Sequence, residues 1–470
     1  MKRNYLHTFP EEMINGMLLE LPSALLVEAK KMIKLCKGSY AWYILSGYAH
    51  NEMSNFKMAI SDYTNAIKEG PDYAEPYFFR GNSYYNDENW KAAVEDYNVV
   101  LEKDPCFYDA LVNRAEASSG LGRHNMAIVD YNRLILHFPE NSEYRAMRGY
   151  EKLQMGIGPG AFDDYSEAIR LDPGYAFAYY GRSFSVNYDP KTSLADLTKA
   201  IELDPNFIDA YSARGLIKSD IGDCNGALED YSKTIELEPD NYSAYSDRGG
   251  MKSELNDLKG AIEDFESAIK INPNFFEPHY NLGLAHLKTG EYLKGIEEFN
   301  ITVRLKPLSF QSYTMRGLCK AFLNDSSGAF TDYERSLKIN PFYMNGYYFR
   351  GKENNKIKRY ADAISDFNTL LEINPRYKKA YFSRGYAKLY LSDFAGALAD
   401  LKKATPLMPL GDPAYLVINA EHPILPEKKK LHQALLKLLN NAPSCLKEEL
   451  IAAITKTCNL DADFAQTSLN

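Results

Sequence analysis

The chain has 470 residues, of which 45% are hydrophobic, and it carries a formal net charge of -9. This acidic balance, without a long run of Lys or Arg, argues against nucleic acid and anionic membranes as partners, because both require clustered basic residues. No apolar stretch approaches the roughly 18 residues of a membrane-spanning helix, so we expect no membrane insertion.

The N-terminal residues predict a helical cap. Pro10, Glu11 and Glu12 interrupt the region where a signal peptide would need an unbroken apolar run. Between Leu21 and Cys36, apolar residues recur on one face of a helix. We predict that residues 1–39 form a cap on the repeats that follow, with a separate docking helix as the alternative.

A repeating pattern occupies residues 40–409. A proline closes each copy, and neighbouring prolines are 34 residues apart except for Pro173 and Pro205, which are 32 apart. A fixed period of this size is typical of stacked supersecondary units. The copies, numbered here as repeats 1 to 11, begin at Tyr40, Ala74, Tyr108, Ser142, Ala176, Ile208, Tyr242, Phe276, Phe310, Met344 and Lys378.

Each repeat has the pattern of a helix, a turn and a second helix. In repeat 6, Tyr211 and Gly215 recur at helical spacing, and Ala227 and Tyr231 follow on a second helical run. The closing Pro239 lacks an N–H group and therefore ends that helix. One such pair cannot bury its apolar stripe alone, so the repeats must stack on one another.

This spacing of aromatic, small, small, aromatic and proline residues resembles the tetratricopeptide repeat. The resemblance covers about 370 residues in eleven copies. It implies an all-α, right-handed superhelical solenoid of antiparallel helix pairs with helical caps. An Arg-Gly pair in the first helix and an Asp-Tyr or Asp-Phe pair in the second resemble a subtype common in bacterial members, which suggests a bacterial origin.

An arginine in the first helix and an aspartate in the second recur in nine repeats, and repeat 8 has Leu282 and Glu298 instead. A guanidinium matches a carboxylate with two hydrogen bonds, so we predict ion pairs that fix the register of the helices, rather than a basic ligand track. Five lysines follow four residues after an arginine, and we expect the acidic residues to offset their repulsion. The pairs are Arg80–Asp96, Arg114–Asp130, Arg148–Asp164, Arg182–Asp196, Arg214–Asp230, Arg248–Asp264, Arg316–Asp332, Arg350–Asp366 and Arg384–Asp400.

Three places depart from the regular pattern. Repeat 4 has a glycine-rich turn at 156–160, which we interpret as an ordinary turn because no Lys-Ser or Lys-Thr follows it. Repeat 5 loses two residues around 187–190, where we expect a local bend. Residues 410–470 predict two more helices, which either cap the last repeat or dock a partner.

The sequence contains no pattern of residues that is typical of a catalytic site. No metalloprotease motif, serine elbow or paired-carboxylate cluster is present, and His279 and His286 occupy packing positions of one helix. We therefore predict no enzyme activity, no cofactor and no metal site. The six cysteines are scattered, which favours reduced thiols in a cytoplasmic protein.

By resemblance to the family, the first helices line an inner groove that holds a peptide or a helix of a partner protein. Aromatic side chains with a basic edge would suit an extended segment with apolar anchors and a carboxylate. Lys379 is predicted to belong to this basic edge, with Lys352 and Lys356. The predicted groove residues are Phe78, Phe79, Tyr85, Tyr180, Phe184, Tyr280, Tyr348, Phe349, Lys352, Lys356, Phe382 and Tyr386.

The predicted function is a non-enzymatic scaffold that binds a partner protein in this groove. The alternative is a regulatory subunit that controls an enzyme or a secretion system through the C-terminal helices. The sequence does not identify the partner or the oligomeric state.

Overall fold

The computed structural model describes residues 22–35, 40–185 and 189–404. Within these ranges the chain forms helices joined by turns, and no strand. Helix α1 precedes the repeats, and α2 to α23 are alternately the first and second helices of repeats 1 to 11. The helices are α1 Pro22–Leu35, α2 Tyr40–Glu52, α3 Phe56–Glu69, α4 Glu75–Asn86, α5 Trp90–Lys103, α6 Tyr108–Gly120, α7 His124–His137, α8 Ser142–Gln154, α9 Gly158–Leu171, α10 Ala176–Arg182, α11 Pro190–Leu203, α12 Ile208–Asp220, α13 Cys224–Leu237, α14 Tyr242–Glu254, α15 Leu258–Ile271, α16 Phe276–Thr289, α17 Tyr292–Leu305, α18 Phe310–Phe322, α19 Ser326–Ile339, α20 Met344–Lys356, α21 Tyr360–Ile373, α22 Lys378–Tyr390 and α23 Phe394–Ala404.

The chain divides into two compact bodies, Met1–Ile217 and Lys218–Asn470. In the first body, each helix from α1 to α11 packs against the next, and in the second body α13 to α23 do the same. First helices of neighbouring repeats also contact each other within a body, as in α16 and α18. This stacking of helix pairs confirms the predicted all-α solenoid fold.

Small residues bring the two helices of a repeat close together. A Cβ atom added to Gly317 would lie 2.8 Å from Cε1 of Tyr333, and one added to Gly249 would lie 2.7 Å from Cε1 of Phe265. Both aromatic rings are almost completely buried. The glycine thus leaves room for a ring of the second helix, which is the close packing that the repeating pattern predicts.

An aspartate caps the second helix in five repeats. In repeat 9, the Asp325 carboxylate accepts a hydrogen bond of 2.9 Å from the backbone N–H of Gly328. The same carboxylate would lie 2.1 Å from a Cβ atom at position 328, so it would have to shift to admit a side chain there. Three more pairs of an aspartate with a glycine are of this kind: Asp223 with Gly226, Asp257 with Gly260, and Asp393 with Gly396. In repeat 5 the Asp189 carboxylate caps α11 by accepting from the backbone N–H groups of Lys191 and Thr192.

The predicted arginine–aspartate pairs are present in eight of the nine repeats. In repeat 9, Arg316 donates from Nε at 3.0 Å and from Nη2 at 2.5 Å to the two oxygens of the buried Asp332. The ninth pair, Arg214 with Asp230, has its members in different bodies and stays a prediction. The confirmed pairs are Arg80–Asp96, Arg114–Asp130, Arg148–Asp164, Arg182–Asp196, Arg248–Asp264, Arg316–Asp332, Arg350–Asp366 and Arg384–Asp400.

Each of the five lysines binds the aspartate of its own repeat. Lys320 Nζ lies 2.7 Å from Oδ2 of Asp332, on the oxygen that also accepts from Nε of Arg316. The carboxylate therefore holds two cations, as we expected from their spacing on the first helix. The other four lysines lie 2.7 to 2.9 Å from their aspartates: Lys152, Lys218, Lys252 and Lys388.

The third guanidinium nitrogen reaches into the preceding repeat, which the sequence had not led us to expect. Nη1 of Arg316 donates to Oδ1 of Asn300 at 2.8 Å. An arginine of this kind therefore links the repeat in which it lies to the second helix of the preceding repeat. The same bond runs from Arg80 to Thr64, Arg114 to Asn98, Arg148 to Asn132, Arg182 to Ser166, Arg214 to Thr198, Arg248 to Ser232 and Arg384 to Asn368.

In repeat 8 a histidine–glutamate pair replaces the arginine–aspartate pair. Leu282 is buried at the arginine position, and Glu298 lies 2.6 Å from Nδ1 of His279. Burial opposes the charge of this imidazole, but its bonds to Glu298 and to the Pro273 carbonyl hold its pKa above the ordinary value. His279 and His286 are both buried, in agreement with the predicted packing role.

The structure bears on the irregular segments only in part. In α1, Leu25 and Ala29 pack with Leu45 and Ala49 of α2, which is the contact expected of a cap. The first helix of repeat 5 has seven residues, and positions 186–188 of its shortened turn lie outside the described residues. Residues 1–21 and 405–470 also lie outside them, so the predicted terminal helices at 410–470 stay predictions.

Candidate partner-binding surface

Three of the predicted groove residues are buried in the core. Phe78 is 6% exposed and lies among Phe107 and other side chains of repeats 2 and 3, while Tyr348 and Phe349 are 5% and 3% exposed. The Phe78 and Tyr348 rings contact aromatic rings of the second helix of their own repeat and of the turn that follows it, so a partner has little access to them. Their predicted place on a binding surface is therefore corrected to a packing role.

Most of the other aromatic residues lie partly exposed against neighbouring rings. Phe79 stacks on Tyr63 at 5.8 Å between ring centroids, and Phe382 is half-buried in α22. The Tyr386 hydroxyl donates to the hydroxyl of Tyr390 at 3.3 Å. These residues combine a packing contact with a remaining accessible edge, and their role in binding stays a prediction.

An aromatic group in repeat 5 presents one exposed ring. Tyr180 contacts Phe184 at 5.1 Å and Phe207 at 4.9 Å between ring centroids. Phe184 is 45% exposed, more than any other aromatic residue of the predicted groove. It lies two residues after the end of α10 at Arg182, where the first helix of this repeat is short.

The first helices of repeats 2 to 4 place acidic residues beside Tyr85. Burial raises the pKa of Glu116, although the hydroxyl of Tyr85 donates a hydrogen bond that favours its ionised form, and the charge of Glu143 raises that pKa further. Burial also raises the pKa of Asp109. This part of the surface is therefore acidic, and the predicted basic edge does not extend to it.

The basic residues lie at the other end of the array. Lys352 and Lys356 are on α20, and Lys379 is on α22. Lys356 Nζ donates to the Ala321 carbonyl at 2.5 Å and lies 3.5 Å from Glu353, with its side chain still 44% exposed. Lys352 Nζ lies 5.8 Å from the ring centroid of Tyr348. Their place at the basic edge of a binding groove stays a prediction.

Tyr280 lines an open, mainly apolar cavity of about 590 Å³ in the second body. Its walls come from α16, from the turn after α17 and from the start of α18. Lys306 Nζ lies 4.0 Å from the ring centroid of Phe276 and 3.0 Å from Oε1 of Glu277, so its charge is already compensated. The lining residues are Phe276, Tyr280, Lys306, Pro307, Leu308, Ser309 and Gln311.

Two exposed apolar residues beside the closing prolines were missed at the sequence level. Leu308 is 72% exposed on the wall of the Tyr280 cavity, and Phe342, at the same position of the next repeat, is 75% exposed. Comparing this position across the repeats would have found them, because it is polar or small almost everywhere else. The corresponding residues are Asp72, Cys106, Glu140, Gly174, Asn206, Asp240, Asn274, Arg376 and, as the one other large apolar residue in the sequence at this position, Leu410.

The described ranges contain neither a metal-binding cluster nor a membrane-spanning helix. Among these residues, no group of three or more His, Cys, Asp or Glu side chains is arranged to hold a metal ion. The helices in the same ranges include none with the length and apolar character needed to cross a membrane.

Comparisons with solved structures give partial likenesses. MamA is 25% identical over 33% of this chain and 90% of its own, with a TM-score of 0.32. YrrB, described as a TPR protein with an unusual peptide-binding site, is 20% identical over 40% of this chain and 97% of its own, with a TM-score of 0.36. Yeast Tom70 is 17% identical over 86% of this chain and 99% of its own, with a TM-score of 0.38. No curated protein sequence matches the chain.

Family models match two segments of the chain. A model described as a tetratricopeptide repeat matches residues 45–105, and one described as a TPR repeat matches residues 253–290. Repeats of this kind generally serve as protein-interaction scaffolds, and neither model describes an enzyme. Both segments lie within the periodic helix pairs, and the chain therefore contains tetratricopeptide repeats, as its sequence pattern predicts.

Proposed function

We propose that the chain is a non-enzymatic scaffold that holds an extended segment of a partner protein along its first helices. The observation that carries this proposal is the Tyr280 cavity, with the exposed Leu308 on its wall. An apolar cavity with a few polar groups at its edge suits a single anchoring side chain better than a flat surface would.

The chemistry of the cavity favours an aliphatic or aromatic anchor. Phe276 and Tyr280 stack at 5.9 Å between ring centroids and offer one wall, and Leu308 offers another. Gln311 and Ser309 supply polar groups at the rim that can bind the backbone of an extended peptide. Burying an anchor there would remove the apolar surface of Leu308 from water, which is the main source of affinity that this site offers.

The basic residues of repeats 10 and 11 favour a partner segment that also carries a carboxylate. Lys356 keeps 44% of its side chain exposed even though it contacts Glu353. A partner with an apolar anchor and an acidic residue toward repeat 10 would match both features. This arrangement is a finer version of the groove binding predicted from the sequence.

Substitution of the two exposed apolar residues tests the proposal. We expect Leu308→Asp with Phe342→Asp to abolish capture of the partner from a lysate of the source cells, with little change in stability because both side chains are exposed. Leu293→Asp is the matched control, since Leu293 is 67% exposed on the second helix of repeat 8. Equal capture by all three proteins would contradict the proposal.

A photo-crosslinking residue at position 308 would then locate the contact. We expect the crosslinked peptide of the partner to be one short segment with an apolar residue at the point of attachment. Crosslinks spread over many unrelated proteins would show that position 308 is merely exposed.

The regulatory alternative depends on residues 410–470. Deleting the chain from Glu421 onward should leave capture through the Tyr280 cavity intact, and would abolish it if the C-terminal helices dock the partner. The cytoplasmic location, the bacterial origin and the absence of nucleic-acid partners remain predictions from the sequence.

A further inference from the structure

Repeat 10 departs from the regular ion-pair network beside a polar cavity of about 600 Å³. The cavity lies between the second helices of repeats 9 and 10, α19 and α21, and the C-terminal part of α20. None of the predicted groove residues lines it. Its walls include Glu334, Arg350, Asn354, Asp362 and Asp366.

Other repeats hold a lysine ammonium at this place. In repeat 9, Nζ of Lys320 lies 2.7 Å from Oδ2 of Asp332. In repeat 7, Nζ of Lys252 lies 2.7 Å from Asp264 and 3.5 Å from the carbonyl oxygen of Gly260. The fold thus builds a site for a primary ammonium between the aspartate and the start of the second helix.

In repeat 10 the lysine is replaced by Asn354. Its amide nitrogen donates to Oδ2 of Asp366 at 3.1 Å, so the carboxylate oxygen keeps a hydrogen bond but loses a positive charge. The glycine that faces the lysine elsewhere is replaced by Asp362. Its charge acts on Asp366 and helps to raise the pKa of that buried carboxyl, an effect secondary to burial itself.

The change from glycine to aspartate follows from the loss of the cap. In repeat 9 the carboxylate of Asp325 fills the space beside Gly328. Repeat 10 has Arg359 at the capping position, where it makes no capping bond and its guanidinium carbon lies 6.0 Å from the ring centroid of Phe330. A side chain at position 362 therefore meets no capping carboxylate.

The six equivalent positions differ by one charge. In repeat 9 they carry two positive and two negative charges, and in repeat 10 two positive and three negative, so the sums are 0 and -1. Within the described residues, Asp362 has no hydrogen-bond or ion-pair partner, and these carboxylates form no metal site. The compared sets are Asn300, Arg316, Lys320, Asp325, Gly328 and Asp332 against Glu334, Arg350, Asn354, Arg359, Asp362 and Asp366.

We propose that the cavity of repeat 10 binds the ammonium group of a lysine side chain supplied by a partner protein. The ammonium would lie beside the Asn354 amide, which bonds Oδ2 of Asp366, and close to the place that Lys320 Nζ has in repeat 9, between Asp362 and Asp366. Phe330 and Ile357, which also line the cavity, would pack against the methylene groups of that lysine.

The proposal is independent of the Tyr280 cavity, because the two sites share no residue. The test uses the full chain and the blocked amino acid Nα-acetyl-lysine N-methylamide, observed by saturation-transfer NMR. Nα-acetyl-norleucine N-methylamide serves as the probe without an ammonium group, and 1,5-diaminopentane as the free amine.

The variant Asn354→Lys with Asp362→Gly restores the internal lysine of the regular repeats. We expect the blocked lysine to give saturation transfer with the wild type and to lose it in this variant, while the norleucine compound gives none with either. The restored ion pair should leave the helical circular dichroism unchanged and the melting temperature no lower, so loss of binding cannot be attributed to unfolding.

Glu202→Gln with Glu236→Gln is the charge-matched control, because it raises the net charge by the same two units on exposed helix surfaces. We expect it to bind the blocked lysine like the wild type. The proposal would be overturned if the blocked lysine gave equal saturation transfer with the wild type and with the double variant Asn354→Lys, Asp362→Gly. It would also be overturned if the blocked lysine gave none with either protein. Binding of the diamine without the blocked lysine would overturn the assignment to a partner's side chain.

Discussion

Two adjacent glycines in α14 should respond in opposite directions to the same substitution. In Gly249→Ala the new Cβ atom would lie 2.7 Å from Cε1 of Phe265 and 3.2 Å from the carbonyl oxygen of Ala261. Phe265 is 1% exposed, so its ring cannot move into solvent. Overpacking of this kind destabilises by about 1–3 kcal/mol.

Gly250→Ala places its Cβ atom where nothing lies within 4 Å. Alanine in the interior of a helix is favoured over glycine by about 0.5–1 kcal/mol, mainly because the unfolded chain loses less conformational freedom on folding. The two variants should therefore differ in free energy of unfolding by about 1.5–4 kcal/mol, the sum of the two effects.

Hydrogen exchange read by mass spectrometry is the suitable assay, because repeat arrays open locally and global unfolding need not be two-state. Peptides from α14 and α15 report the opening of repeat 7, and peptides from repeat 3 provide an internal reference. If Gly249→Ala opened repeat 7 no more than Gly250→Ala does, the close contact between the two helices would be refuted.

Three further substitutions test the polar contacts, each by the same local exchange measurement. Asp332→Ala should destabilise repeat 9 by about 3 kcal/mol, because it leaves two largely buried cations without a carboxylate, whereas Glu202→Ala at an exposed pair should change stability by less than about 1 kcal/mol. Since the folded pKa of His279 is raised, the stability that it contributes is present below pH 6.5 and is lost as the pH rises through that pKa; His279→Gln should remove this dependence, and an identical pH profile would contradict it. Asp325→Ala should destabilise α19 by about 1 kcal/mol through loss of its cap, and unchanged exchange at the start of α19 would argue against that cap.

The sequence predicted the helix pairs and most of the ion pairs between them because these features repeat. A pairing such as Arg316 with Asp332 recurs at a spacing of 16 residues in eight copies and of 14 in the shortened repeat 5, and its geometry follows from two antiparallel helices. The bond from Arg316 to Asn300 was missed because its acceptor varies among Asn, Ser and Thr, so no single residue type marks the position.

Burial within the groove was harder to predict than the helices that form it. Tyr348 and Phe382 occupy the same position of the first helix in adjacent repeats, but Tyr348 is 5% exposed while Phe382 keeps part of its surface accessible. The difference depends on which side chains the neighbouring elements present, and a pattern within one repeat does not contain that information. Leu308 was missed because single exposed apolar residues are common, and it stands out only when its position is compared across the repeats or its cavity is seen.

The bond that runs from most of the arginines to the preceding repeat has a mechanical consequence. A tensile force on repeats 7 to 11 loads the junctions between them in series, so the weakest junction separates first. Repeat 8 has Leu282 in place of the arginine, and the hydrogen bond that the described residues show from it to repeat 7 runs over 3.3 Å from Lys288 Nζ to Ser253 Oγ. Repeat 10 is joined to repeat 9 in another way, since Lys356 Nζ donates to the Ala321 carbonyl and the Ser326 hydroxyl donates to Glu353. Under load we therefore expect repeats 7 and 8 to part first.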